Sequence, residues 1–386
     1  MQGTKKMGER GTAISFEDFQ GTRNFAALDG LRAVSVFLVF SDHFGGIGWT
    51  RFSGWLGVHA FFVLSGFLIT TLLLRERDST GSVSLKAFYI RRATRLLPLY
   101  LLVFLAVLGL SHVAQDGTWE QMKAATPYYL TLLNELADMA PLHMTWTLGV
   151  EWKYYLVWPT LLVVFGTTLR SGLATVGFCL AALAMLGIGE FQWRLLLPQN
   201  YVGMLFGSGL AILMNSRRTF GLVRCLMSHG ATIALVLALL VVHRRFPVIA
   251  GRIGDASAIA VYSLLIAMLI PALIAARTWV ARALASKPLV FVGHRSYAMY
   301  LVQYTAAHAV IAVLPGPTIV GGTLLFLSFA LALVLSDQLY RWFEKPITDW
   351  GHRWAKAVKQ AALSKTPLPG CDAAGALRPG RNRSPL

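Results

Sequence analysis

The chain has 386 residues, 55% of them hydrophobic and only 14% charged, with a net charge of +17 and a mean hydropathy of +0.57. A soluble protein would carry about a quarter charged residues, so this balance, with apolar runs of about twenty residues, excludes an ordinary soluble domain and indicates an all-α polytopic membrane protein. Nucleic acid is a poor partner for the positive charge: 27 of the 35 Lys and Arg residues fall in segments that alternating topology places on one side of a membrane, the positive-inside pattern.

In chain order, residues 1–25 are polar and mixed and lack the apolar core and cleavage site of a signal peptide. They are expected to be a cytoplasmic segment, with the first span serving as the insertion signal. Ten spans are predicted. The first four are Ala33–Trp49, Gly54–Leu74, Leu96–Val113 and Trp146–Leu169. Spans five to seven are Gly172–Gly189, Tyr201–Met214 and His229–Val242. Spans eight to ten are Ala256–Ala276, Val290–Leu314 and Thr318–Tyr340. An even count puts both termini in the cytoplasm. The loop after span two, "RERDSTGSVSLKAFYIRRATR", is basic and belongs inside, whereas the loop after span three carries Asp116, Glu120, Glu135 and Asp138 and belongs outside. Arg244, Arg245 and Arg252, between spans seven and eight, breach the charge rule. The membrane domain is expected over 26–350. A basic tail over 351–386 should be a short amphipathic piece from about Lys356 and then disordered, given its Gly, Pro and Arg content. Cys179, Cys225 and Cys371 have no disulfide or zinc spacing, and no metal is expected.

Four places break the apolar pattern. In "LDGLRAVSVFLVFSDHFGG", Arg32 and His43 are eleven residues apart, which on a helix is three turns plus about 20°, so they share a face roughly 16 Å apart. Asp29 can pair with Arg32 at the i, i+3 spacing, and Asp42 stands beside the histidine. Ionisable groups inside spans are costly and default to a functional reading, although hydrogen-bonded packing is the plainer account of a single histidine. Glu151, in "TWTLGVEWKYYLVWP", lies about as deep as His43, roughly 10 Å beneath the same surface; it is expected either to orient the ring or to pair with Lys153. Arg91, Arg92 and Arg95 in "FYIRRATRLLPLY" suit a phosphate-rich ligand, or else serve as topogenic charge. In "GWLGVHAFFVLSGFLIT", Gly57, Ser65 and Gly66 permit close helix approach or line a site, and His59 lies near the depth of His43 and Glu151.

Together these stretches, with "SYAMYLVQ" in span nine and "EKPI" after span ten, resemble the acyltransferase 3 family of integral-membrane O-acyltransferases. The match runs in order from about residue 25 to 350. The resemblance implies a ten-helix core in a bacterial inner membrane. It also implies transfer of an acyl group, usually acetyl from cytoplasmic acetyl-CoA, to a hydroxyl of a surface polysaccharide or glycolipid. His43 and Arg32 are then essential, with Glu151, Arg91, Arg92 and Arg95 contributing. Asp29, Asp42, His59, Ser65, Tyr297 and Gln303 are the further candidates for lining the site. Three positions depart from the family pattern: His59 stands where Asp is frequent, Gln303 where His is frequent, and Asp42 directly before His43 is unusual.

On this reading Arg32 meets the donor, acyl-CoA, and His43 acts as base or acyl carrier, with Glu151 holding its other nitrogen. The expected partners are acyl-CoA, the glycan acceptor and membrane lipid, with a homo-oligomer left open; no tightly bound cofactor is expected. Two rivals remain at this stage. A proton-coupled transporter or glycan-export component accounts for the buried charges but not for the arginine cluster. A non-catalytic scaffold accounts for neither His43 nor Arg32.

Overall fold

The apolar runs fold as helices in the computed structural model, which describes residues 14–114, 117–137, 141–188, 197–314 and 320–364. No strand occurs among the described residues. A short helix α1 (Phe16–Gly21) precedes α2 (Ala26–Phe44), α3 (Gly57–Thr80) and α4 (Leu85–Ala114). Then come α5 (Thr118–Leu130), α6 (Trp146–Phe165), α7 (Leu169–Ile188) and α8 (Pro198–Met214). The chain continues through α9 (His229–Arg244), α10 (Asp255–Ala275) and α11 (Lys287–Val313). It closes with α12 (Gly322–Leu339) and α13 (Lys345–Ser364), joined by a π-helical turn over Tyr340–Glu344.

By length and composition, four helical segments among the described residues are apolar enough to cross a membrane: Gly54–Thr80, Leu85–Ala114, Asp255–Ala275 and Gly322–Ala361. A fifth is added if the pair Arg217–Met227 and His229–Arg244, bent by 72°, counts as one. Among the other long helices, α2 carries Asp29, Arg32, Asp42 and His43, α6 carries Glu151 and Lys153, and α11 carries Lys287, His294 and Arg295, which dilutes their hydropathy.

Most predicted spans coincide with helices to within a few residues; three of them, and the amphipathic piece after span ten, differ in a way that has a cause. The first starts earlier and stops at Phe44, because Gly45 and Gly46 break it and Gly46 adopts φ 70°. The third extends back to Leu85, so Arg91, Arg92 and Arg95 lie on a helix and not in a loop. Residues 318 and 319, at the start of span ten, lie outside the described residues, and α12 begins at Gly322. The amphipathic piece begins at Lys345 and not near Lys356, because the π-turn lets the helical path continue past span ten. The expected disordered tail lies outside the described residues beyond 364.

Two large apolar cores hold the helices together, with α3 contributing to both, and a small third cluster of Ala87, Ile90 and Ala355 joins α4 to α13. One gathers Val36, Phe40, Phe62, Tyr100, Trp158 and Met299. The other gathers Phe19, Leu64, Phe67, Phe220, Tyr262 and Ile270. Glycine lets α3 and α8 touch backbone to backbone: a Cβ on Gly66 would fall 1.9 Å from the Met204 carbonyl oxygen, and one on Gly207 2.1 Å from that of Val63. Gly293 similarly admits the Asp29 carbonyl, at 2.0 Å from a Cβ, and so brings α11 against α2. Such small-residue contacts supply close packing where the hydrophobic effect between helices is weak.

Candidate active site

Helix periodicity puts Val58, Phe61, Phe62, Ser65, Leu68, Ile69 and Leu72 along one face of α3, and this face lines a cavity of about 320 Å³. Opposite it stand Thr147, Leu148, Glu151 and Tyr155 of α6, again at i, i+1, i+4 and i+8. Arg23, Arg32, Arg75, Arg92 and Arg95 also line this space, and we call it the arginine chamber. Arg32 is held by Asp29 (Nη1 to Oδ1, 3.0 Å), whose other oxygen lies 3.2 Å from His294 Nε2. Arg92 stacks over Phe88 and Tyr155, at 5.7 and 5.8 Å from the ring centroids. Among the described residues neither Arg92 nor Arg95 has an ion-pair partner, so both cations remain available to an anion entering the chamber.

Arg91 is placed differently. Its guanidinium turns to Glu76 (3.0 Å), which also binds Lys359 of α13 at 3.0 Å. The arginine cluster is thus divided by function. Two members line the chamber, and the third helps fasten α13 to α4.

A second cavity, of about 890 Å³, contains His43, His59, His143, Asn134, Glu135 and Trp146 in its lining; this is the histidine chamber. Val58 and Tyr300 line both chambers and form their common wall. Tyr300 is fixed there, donating from its hydroxyl to the Met144 carbonyl and accepting from Thr147 Oγ1 at 3.0 Å.

His43 does not meet Glu151 through a hydrogen bond. Its Nδ1 lies 2.9 Å from Gln303 Oε1. Gln303, fully buried, spends its Nε2 on the Tyr300 carbonyl at 3.0 Å, so its oxygen faces the ring and Nδ1 must donate. The lone pair is then on Nε2. Glu151 instead accepts from Ser65 Oγ and from the Tyr155 hydroxyl, both at 2.8 Å, within the arginine chamber. Equal depth on two helices does not imply one face: Glu151 follows the Thr147–Tyr155 side of α6, whereas the nearby residues that reach the histidine chamber, His143, Met144 and Trp146, precede that stripe. Lys153 does not pair with Glu151 either; it binds Glu135.

Of the remaining candidates, Asp29, Ser65 and Tyr297 line the arginine chamber, with the Tyr297 hydroxyl donating to the Leu96 carbonyl at 2.6 Å. His59 lines the histidine chamber, edge-on to Trp55 and Phe62. Asp42 lines neither chamber. Arg23 and Arg75, which in sequence look like ordinary helix-end charges, also line the arginine chamber, and His143, Asn134 and Glu135 line the histidine chamber without any sequence signal that marks them. These last three sit in what reads as an external loop, but short helical turns at Asn134–Leu136 and His143–Thr145 fold that segment inward.

Helices enclosing two adjoining polar chambers, one cationic and one built round a tautomer-fixed histidine, define a helical membrane protein with a buried site suited to an anionic ligand. A family model described as an acyltransferase domain matches residues 25–340, and the chain belongs to that family. A Staphylococcus aureus (strain COL) protein provisionally named as an O-acetyltransferase is 26% identical, over 87% of this chain and 59% of its own length. The peptidoglycan O-acetyltransferase OatA of Listeria monocytogenes is 25% identical over 84% of this chain and 56% of its own. Bacillus subtilis YrhL, provisionally named as a peptidoglycan O-acetyltransferase, is 27% identical over 86% and 56%. The chain therefore spans less than three-fifths of the length of these relatives. No solved structure matches it.

Proposed function

We propose that the chain is a membrane O-acyltransferase that moves an acyl group, acetyl by preference, from cytoplasmic acyl-CoA to a hydroxyl of a carbohydrate-containing acceptor. The acceptor is a surface polysaccharide or glycolipid, and the membrane is the bacterial inner membrane. Acyl-CoA is a substrate here and not a resident cofactor. The observation that carries the reading is the common wall of Val58 and Tyr300 between a chamber with unpaired arginines and a chamber holding a histidine base.

In this mechanism the donor's phosphates bind Arg92, Arg95 and Arg32 by charge-assisted hydrogen bonds. Its thin pantetheine arm passes between Val58 and Tyr300 and presents the thioester carbon to the histidine chamber. His43 Nε2 takes the proton of the acceptor hydroxyl as that oxygen attacks the thioester carbon. The C–S bond breaks, the proton passes from His43 to the departing sulfur, and the products are the O-acyl ester and free CoA. Gln303 holds the ring in the productive tautomer throughout, the orienting role that triads give to a carboxylate. Glu151, fixed by Ser65 and Tyr155, balances the arginines and orders that chamber. The names of the Listeria and Bacillus relatives, which specify peptidoglycan, support a glycan acceptor.

The test is twofold. Purified protein in lipid nanodiscs, given radiolabelled acetyl-CoA, should release CoA and label glycan from the host's envelope. Deleting the gene should remove acetyl mass increments from that glycan. An unchanged glycan spectrum in the deletion strain would overturn the proposal.

A further inference from the structure

Arg244, Arg245 and Arg252 place three cations within nine residues on the side of the membrane that the chain's cations otherwise avoid. Acyl transfer as described leaves them without a role. Asp255 is the sole carboxylate side chain of residues 229–257, and no ion pair among the described residues engages any of the three arginines.

Their setting joins a lipid-facing surface to the histidine chamber. On α9, Ile233, Leu237, Leu240 and Val241 form an exposed apolar stripe, and Arg244 continues it, three and four residues beyond Val241 and Leu240. Leu235, on the opposite face, packs into the second core. A stripe of this kind faces acyl chains, which sets Arg244 at headgroup depth. The chain then enters a short helix, Phe246–Ile253, whose N-cap is Arg245. Arg245, Val248 and Arg252, at i, i+3 and i+7, share its exposed side, while Phe246 and Ala250 are buried on the other. Phe246 meets Trp55 edge-on, with 5.1 Å between ring centroids. Trp55 lines the histidine chamber, as does Asp255, two residues past the helix. Both are exposed, so the chamber reaches the surface beside the arginines.

We propose that Arg244, Arg245 and Arg252 bind the phosphate of a lipid-borne acceptor. Its lipid chain lies along the Ile233–Val241 stripe, and its sugar enters the histidine chamber past Trp55 and Asp255. Guanidinium groups fork onto phosphate oxygens, and the apolar stripe favours a phosphate attached to a lipid over a free one. The acceptor is then presented from the membrane leaflet opposite the donor. This inference rests on the reading of the histidine chamber as the place where the acceptor reacts.

The probe is radiolabelled farnesyl pyrophosphate, bound to the full chain in phosphatidylcholine nanodiscs with CoA at saturation to fill the arginine chamber. Wild type should bind it. The triple variant Arg244→Gln, Arg245→Gln, Arg252→Gln should bind it at least about tenfold more weakly, the loss of one charge-assisted hydrogen bond or more. Inorganic pyrophosphate should compete far less well than unlabelled farnesyl pyrophosphate. The difference between wild type and variant should persist in nanodiscs rich in phosphatidylglycerol. Acetyl-CoA affinity, set in the arginine chamber, reports that the variant is folded. Equal binding by wild type and variant, or equal competition by inorganic pyrophosphate, would overturn the proposal. So would a difference that closes in phosphatidylglycerol, which would make the arginines contacts for bulk lipid. Acetyl transfer by wild type to host envelope glycan separates this proposal from the reading beneath it. If transfer occurs but the variant binds the probe as wild type does, only the lipid-phosphate site falls. If the variant loses the probe and wild type transfers nothing, the acyltransferase reading falls and the lipid-phosphate site stands.

Discussion

Gln303 Oε1 stands 2.9 Å from His43 Nδ1, and the same amide donates through Nε2 to the Tyr300 carbonyl. The two bonds leave the glutamine one orientation and the imidazole one neutral tautomer, with Nε2 unprotonated. At this position, which departs from the family pattern, a neutral side chain supplies the acceptor that fixes the ring.

Gln303→Met keeps the length and removes the acceptor, so His43 can protonate at either nitrogen. Transfer by purified enzyme should fall at least about tenfold in kcat, with acetyl-CoA affinity unchanged. His43→Gln, which leaves no base, should fall by about 10²–10⁴-fold, the range of positioned acid–base catalysis. A His43→Gln enzyme retaining more than about a tenth of the wild-type rate, well short of that range, would make His43 a packing residue.

The divided arginine cluster yields a sharper contrast. Arg92→Ala and Arg95→Ala should each weaken acetyl-CoA binding about tenfold or more, the equivalent of one charge-assisted hydrogen bond of ~1.5–3 kcal/mol. Arg91→Ala should leave that affinity near wild type, because its guanidinium is committed to Glu76 and not to the chamber. Calorimetry on the three variants checks the division; equal losses in all three would restore a single phosphate-binding cluster.

How much of this was legible beforehand follows from what periodicity encodes. Apolar runs gave the helices, and Arg32 and His43 do lie on one helix, α2, but the two residues expected to share a face line different chambers. Depth arithmetic then paired His43 with Glu151, and there it failed, because depth says nothing about rotation: Glu151 faces Ser65, while His43 faces Gln303 from the distant α11. Arg91 could not be told from Arg92 and Arg95 without seeing Glu76 and Lys359. Asn134 and Glu135 were hidden for another reason, since an acidic loop reads as exposed until its short helical turns fold it inward.

Packing of α3 on α8 gives a prediction of opposite signs. Alanine is ordinarily the better helix former by about 0.5–1 kcal/mol over glycine, and Gly177 in α7 has nothing within 4 Å of its Cβ position. Gly177→Ala should therefore leave the thermal midpoint in detergent unchanged or higher. At Gly207 the same methyl would sit 2.1 Å from a backbone oxygen, and overpacking typically costs ~1–3 kcal/mol, so Gly207→Ala should lower the midpoint. A midpoint for Gly207→Ala at or above wild type would show that the helices separate at no cost.

The charge distribution predicts sidedness. Ser79 and Gln121 are both exposed, at opposite ends of the region from α3 to α5. With the arginine chamber facing the cytoplasm, an impermeant thiol reagent applied to whole cells should miss Ser79→Cys and label Gln121→Cys. The reverse pattern would invert the protein and place the arginines on the wrong side for a cytoplasmic donor.

The common wall offers the most direct test of the proposed path. Val58 is 8% exposed and borders both chambers, opposite Tyr300. Val58→Trp would fill the gap with a rigid indole, while the groups proposed to bind the donor's phosphates, Arg92 and Arg95, lie elsewhere in the arginine chamber and are untouched. Acetyl-CoA should still bind with near wild-type affinity, which also reports that the variant folds. The thioester, held back from His43, should react slowly: misplacing a reacting group by as little as about 1 Å can cost about 10²-fold. Transfer should therefore fall by about that factor or more, while Val58→Ala, which widens the passage, should retain activity. If Val58→Trp binds donor and transfers acetyl at the wild-type rate, the acyl arm does not pass between Val58 and Tyr300. The two chambers would then serve separate purposes.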